Sequence, residues 1–175
     1  MKKSLSLILG IIMCLSLFAA CGTPAAEPTP TQTPEPTLSG TELAAHYKQA
    51  IEAARDDETN EYNSVATTDE EMGSITWEVL GITADQLDAY AVSISLMNVS
   101  AYCVALFKPL EGQEEAVMTA LQAYIDGIEQ SFTNYLPDQL VIAQNAILEQ
   151  LDDGTIALVM CDNQDTVRDA IVAAL

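Results

Sequence analysis

The stretch YAVSISLMNVSAYCVALF, residues 90–107, decides the fold. In its first half Val92, Ile94 and Leu96 alternate with Ser93 and Ser95, the period-two pattern of a strand with one buried face. Its second half, Ala101 to Phe107, is apolar at successive positions, so both faces are buried and the strand is central. The short polar connection Asn98-Val99-Ser100 implies an antiparallel hairpin. Pro109 and Gly112 end the unit.

A second hairpin follows the same logic. Ala146 to Leu151 and Thr155 to Cys161 flank Asp152-Asp153-Gly154, and Asp-Gly is a strong turn pair because both residues tolerate positive φ. Helices fill the rest. Ser39 followed by Glu42 is a capping box, and Leu43, Tyr47, Ala50, Ile51 and Ala54 keep helical spacing to near Arg55. Asp56 to Met72 reads as an acidic loop running into a short helix over about Asp69 to Leu80. Thr83 and Gln86 make another capping box over a short turn. Gln113 to about Tyr135 is the longest helix, with Val117, Leu121, Tyr124, Ile128, Phe132 and Tyr135 in one stripe. Glu114 and Glu115 complement its dipole, and Pro137 breaks it. One further helical turn fits Asp138 to Gln144. Asp162 or Asn163 caps a final helix with Val167, Ala170, Ile171 and Ala174 on one face. The order α-α-β-β-α-β-β-α predicts an α+β fold, a four-stranded, mostly antiparallel sheet of two hairpins with helices packed on one face.

Upstream of this domain, Lys2 and Lys3 precede an apolar run from Leu5 to Ala20, too short for a membrane span of roughly 20 residues and patterned as a secretory signal. It ends Leu17-Phe18-Ala19-Ala20-Cys21-Gly22, which resembles a bacterial lipobox. The resemblance implies cleavage after residue 20 and a diacylglycerol thioether on Cys21, whereas Cys14 lacks the small residues before it. The diacylglycerol brings two acyl chains, enough for stable anchoring. Residues 22–40 hold five of the seven prolines. They favour extended polyproline II, reaching up to roughly 60 Å at about 3.1 Å per residue. The expected organisation is thus signal 1–20, lipidated Cys21 with a Pro/Thr-rich tether over 21–40, and a single acidic domain over 41–175, at the extracytoplasmic face of the cell membrane.

The 175 residues carry 6 Lys+Arg against 26 Asp+Glu, a net charge of -20. The signal and tether contribute Lys2, Lys3, Glu27 and Glu35, so residues 41–175 keep -20 by themselves. That charge excludes nucleic acid as a partner, since phosphates need basic residues. One His, His46, sits at the rim of the first helix, so no multi-His metal site exists in one chain. No metal and no cofactor is expected; the acidic clusters Asp56–Glu61 and Asp69–Glu71 lack EF-hand spacing and allow loose Ca²⁺ binding at most. There is no G-x-S-x-G elbow, no phosphate loop and no dinucleotide glycine pattern. Cys103 and Cys161 read either as two buried thiols or as one disulfide, which neighbouring strands would allow.

The segment Phe132-Thr133-Asn134-Tyr135-Leu136-Pro137-Asp138-Gln139, a long amphipathic helix running into Tyr-x-Pro before a hairpin, resembles a family of Gram-positive lipoproteins carrying domain of unknown function 4358. The likeness covers about Gly81 to Leu175 and is most specific at Tyr135-Leu136-Pro137, where the residues themselves read as a helix stop and the end of its apolar stripe. Ala101 and Tyr102 stand where members often carry an acidic residue. The resemblance implies fold and location and no activity. The function expected is a non-enzymatic, membrane-anchored module that binds a protein or cell-wall partner. The alternatives are a carboxylate-dependent hydrolase and a small solute-binding lipoprotein.

Overall fold

A computed structural model describes residues 38–175. The signal segment, the lipid-attachment residue Cys21 and nearly all of the tether lie outside the described residues. The elements are α1 (Gly40–Ala53), α2 (Asp57–Tyr62), α3 (Asp69–Leu80), a 3-10 turn (Ala84–Gln86), β1 (Leu87–Ile94), β2 (Cys103–Pro109), α4 (Glu114–Phe132), α5 (Pro137–Gln144), β3 (Ile147–Gln150), β4 (Ile156–Met160) and α6 (Gln164–Ala174). The strands form one sheet in the order β1-β2-β4-β3 with every neighbour antiparallel. The sheet and the element order are those read from the sequence; α2 is an added helix inside the expected acidic loop.

Local chemistry sets the helix ends. Ser39 Oγ accepts the Glu42 N–H at 3.4 Å while Glu42 Oε2 accepts the Ser39 N–H at 3.0 Å, the reciprocal cap of α1. Thr68 and Glu71 build the same device on α3. Gly73, at φ 67° and ψ 159°, kinks α3 after its first turn, a conformation open only to glycine. Pro137 does end α4, by opening α5 at a position where its missing N–H costs nothing. In the β3–β4 turn only Gly154 takes positive φ (85°), so the connection is a three-residue loop rather than a two-residue turn with both centres left-handed.

The expectation of helices on one face is corrected: they cover both. On one face Tyr90, Val92, Cys103, Ala105, Phe107, Ile156, Leu158 and Met160 meet α3, α4 and α5 through Met72, Leu80, Val117, Leu121, Ile125, Phe132 and Ala143. On the other, Ala89, Ala91, Val104, Leu106, Ala157 and Val159 meet α1 and α6 through Tyr47, Ile51, Val167 and Ile171. The cause is the composition of Cys103–Phe107 in β2 and of β4, whose successive residues are all apolar and would leave a greasy face in water if only one side were covered. Each large side chain so buried stabilises the fold by about 1.5–3 kcal/mol. A bulge at Asp88 lets Leu87 join the first core although Ala89 faces the second.

Three positions depart from the periodic reading. Leu96 lies past the end of β1 and is 52% exposed. Tyr135 lies past the end of α4 and is 60% exposed, so it does not close the apolar stripe; Ile125 is buried instead. Ala170 and Ala174 face solvent, leaving Val167 and Ile171 to seat α6.

Register also settles the cysteines. Cys103 pairs with Met160, so Cys161 is one residue out of step and points to the opposite core. Both thiols are free and buried, and burial raises each above its ordinary pKa, Cys161 to about 11. In the folded chain Cys103 and Cys161 are therefore expected to resist a thiol reagent such as Ellman's, whereas the unfolded, unreduced chain should expose both. An unfolded chain in which these two stay silent until reduced would contradict this register.

Candidate functional site

Arg55 lies just past the end of α1, two residues beyond Ala53, and turns its guanidinium toward β1 and β2. Nη1 donates to Ser93 Oγ at 2.7 Å and to the Tyr102 hydroxyl at 2.5 Å. Nε and Nη2 donate to Asn60 Oδ1 at 3.0 and 2.6 Å. Asn60 is itself fixed by its Nδ2, which donates to the Glu52 carbonyl at 2.8 Å. Ser93, fully buried, donates to the Asn63 carbonyl at 3.0 Å. Four of the five guanidinium donors are thus used on neutral acceptors, leaving one on Nη2. No carboxylate lies within ion-pair distance of Arg55 among the described residues. A half-buried cation whose charge no carboxylate meets is uncommon, and in a domain this acidic it marks a place suited to an anionic group.

Arg55 lines a cleft of about 560 Å³ between the α1–α2 corner and the connection from β4 to α6. Its walls include Asp56, Thr59, Asn63, Tyr102, Asp162 and Thr166. Asn163, in that connection, is the only residue other than glycine with positive φ among the described residues (55°). No side-chain cap covers the start of α6, so Asn163 and Thr166 border the cleft with helix-start backbone between them. Burial raises the Tyr102 hydroxyl above its ordinary pKa, although the hydrogen bond to Ser93 and the Arg55 charge pull it down. It therefore stays a neutral hydroxyl at the cleft wall. Asp56 accepts the Thr59 N–H at 2.6 Å as the cap of α2, and that bond holds its carboxyl below the ordinary range.

The residues weighed from the sequence fall elsewhere. His46 is half-buried at the rim of α1, as expected. Asp56–Glu61 is the capped helix α2 and Asp69–Glu71 the first turn of α3; Glu71 is spent on the cap, and Asp69 accepts from the Tyr90 hydroxyl at 2.7 Å. No group of three or more His, Cys, Asp or Glu side chains is placed to hold a metal among the described residues. Ala101 and Tyr102, where an acidic residue was looked for, instead supply a backbone N–H to Gln139 Oε1 at 2.7 Å and the hydroxyl that meets Arg55. Sequence reading missed Arg55, Ser93 and Tyr102 as a unit. Ser93 looked like the solvent side of an alternating strand, and the two partners lie 38 and 47 residues from Arg55.

No curated protein and no solved structure matches the chain. The family profile described as domain of unknown function (DUF4358) matches residues 57–161, from α2 to the end of β4. The match begins upstream of the Gly81 boundary inferred from Tyr135-Leu136-Pro137, and it stops before α6. Over more than half its length, then, this chain carries that domain, and it belongs to the DUF4358 family.

Proposed function

We propose that the chain is a lipid-anchored extracytoplasmic binding module of the Gram-positive lipoprotein type, held by Cys21 and taking its ligand in the Arg55 cleft. The placement rests on Leu17-Phe18-Ala19-Ala20-Cys21 followed by the proline tether. No described helix is long and apolar enough to cross a membrane, and the lipid supplies the attachment in this reading. The single observation that carries the binding role is that Arg55 forms no ion pair in a cleft walled by hydroxyls, amides and the carboxylates Asp56 and Asp162. A ligand ending in a carboxylate, such as a peptide terminus, suits the remaining Nη2 donor, and Asp162 stands ready for an accompanying amine.

The competing hydrolase reading would draw on Asp56 and Asp162, which both line the cleft. A general acid needs a raised pKa. Asp56 is committed to capping α2 and is shifted the other way, which favours binding over hydrolysis.

Two outcomes follow. Mass spectrometry of the chain made in a Gram-positive host should show an N-terminus at Cys21 carrying diacylglycerol, absent in Cys21→Ala; an unmodified wild-type N-terminus sinks the anchor. Calorimetry with short wall-type peptides bearing a free carboxylate should give saturable binding that Thr166→Trp weakens about tenfold or more, since the indole fills the cleft and touches no Arg55 bond. Binding indifferent to Thr166→Trp, or none across the series, contradicts the cleft as the ligand site.

A further inference from the structure

A second surface stands apart from the Arg55 cleft and needs none of the preceding proposal. Ile75 and Val79 on α3, and Leu96 and Met97 on the long β1–β2 connection, are 64, 42, 52 and 66% exposed. They are not scattered: all four line one groove of about 220 Å³ whose floor is Tyr124, Ile128 and Phe132 of α4. Solvent-facing loops are ordinarily polar, and a gathered apolar patch on a soluble face marks an interaction site. The Ser95–Tyr102 backbone bond of 3.0 Å closes this connection at its base, leaving the apolar residues at its tip.

Charge says what kind of partner fits. The sequence has no Lys or Arg between Arg55 and Lys108, and none between Lys108 and Arg168. The groove's elements, α3, the β1–β2 connection and α4, therefore carry no basic residue, and they belong to a domain whose net charge is -20. An anionic membrane face is repelled by a domain of that charge. A second copy brings the same negative charge. A segment with apolar residues on one side and lysines or arginines flanking them satisfies both the apolar groove and the negative charge of the domain around it. We propose that the groove between α3, α4 and the β1–β2 connection docks a basic amphipathic helix of a partner protein, with its apolar stripe against Ile75 and Met97.

The test uses the full chain in lipid-free solution and a fluorescent 14-residue Leu/Lys amphipathic helix as the probe. Saturable binding is expected, falling with added salt and weakened about tenfold by the double variant Ile75→Ser/Met97→Ser, which changes no charge. Both positions are exposed, so the fold tolerates the change. Thr166→Trp should leave this binding untouched, which separates the groove from the cleft. Equal binding to the double variant, or equal binding of a scrambled Leu/Lys or a Leu/Glu peptide, overturns the proposal. So does a wild-type dimer in sedimentation, or docking onto added phosphatidylcholine vesicles, that the double variant abolishes.

Discussion

The pairing of β2 with β4 is the constraint on which the rest of the structure depends. Cys103–Phe107 and Ile156–Met160 lie side by side, and all ten residues are fully or almost fully buried. Two adjacent strands apolar on both faces can exist in water only inside a three-layer arrangement. The edge strands β1 and β3, the α3–α4–α5 layer and the α1–α6 layer each follow from that need. β1 is further closed by a bridge between Val92 and Ala66, so its outer edge is partly paired.

Around this core the few cations act as ties between distant segments. The described domain has only Lys48, Arg55, Lys108 and Arg168 to set against its acidic residues. Lys48 donates to the Val65 carbonyl at 3.2 Å, joining α1 to the segment beside β1. Lys108 donates to the Asp153 carbonyl, pinning the β3–β4 turn to β2. Arg168 approaches Glu149 at 3.6 Å, linking α6 to β3. Arg55 joins α1 and α2 to β1 and β2. Polar ties that use no cation work alongside them. Thr155 Oγ1 donates to Asp153 Oδ2 at 2.7 Å, so the buried Tyr47 hydroxyl, 2.5 Å away, donates to Thr155. Burial pushes that tyrosine up to about 12, keeping the proton the chain requires. The surplus negative charge is left without basic partners among the described residues.

Much of this was legible in the sequence, because the signals were local. Capping boxes at Ser39 and Thr83, the break at Pro137 and the turn glycine Gly154 act within a few residues. The unbroken apolar run in Ala101–Phe107 correctly marked a central strand. Its second implication, that both sheet faces need cover, conflicted with the one-sided helix layer expected from β1. There the alternation of Val92 with Ser93 looked like a wet face. Ser93 is instead fully buried, made tolerable by Arg55 and the Asn63 carbonyl. A small hydroxyl facing water and one satisfied by a distant arginine have the same one-dimensional pattern. The site was hidden for that reason, and Tyr135 was misjudged because periodicity does not show where a helix stops.

Amide hydrogen exchange, resolved by segment, probes the central constraint most directly. If β2 and β4 form the interior of a three-layer fold, the amides of Val104–Phe107 and Ala157–Met160 should be the last to exchange. They should open only with global unfolding, at least about a hundredfold slower than α2 and the outer edge of β3. Exchange in β2 and β4 as fast as in α2 would contradict the account, because strands apolar on both faces cannot remain locally open to water in a stable domain.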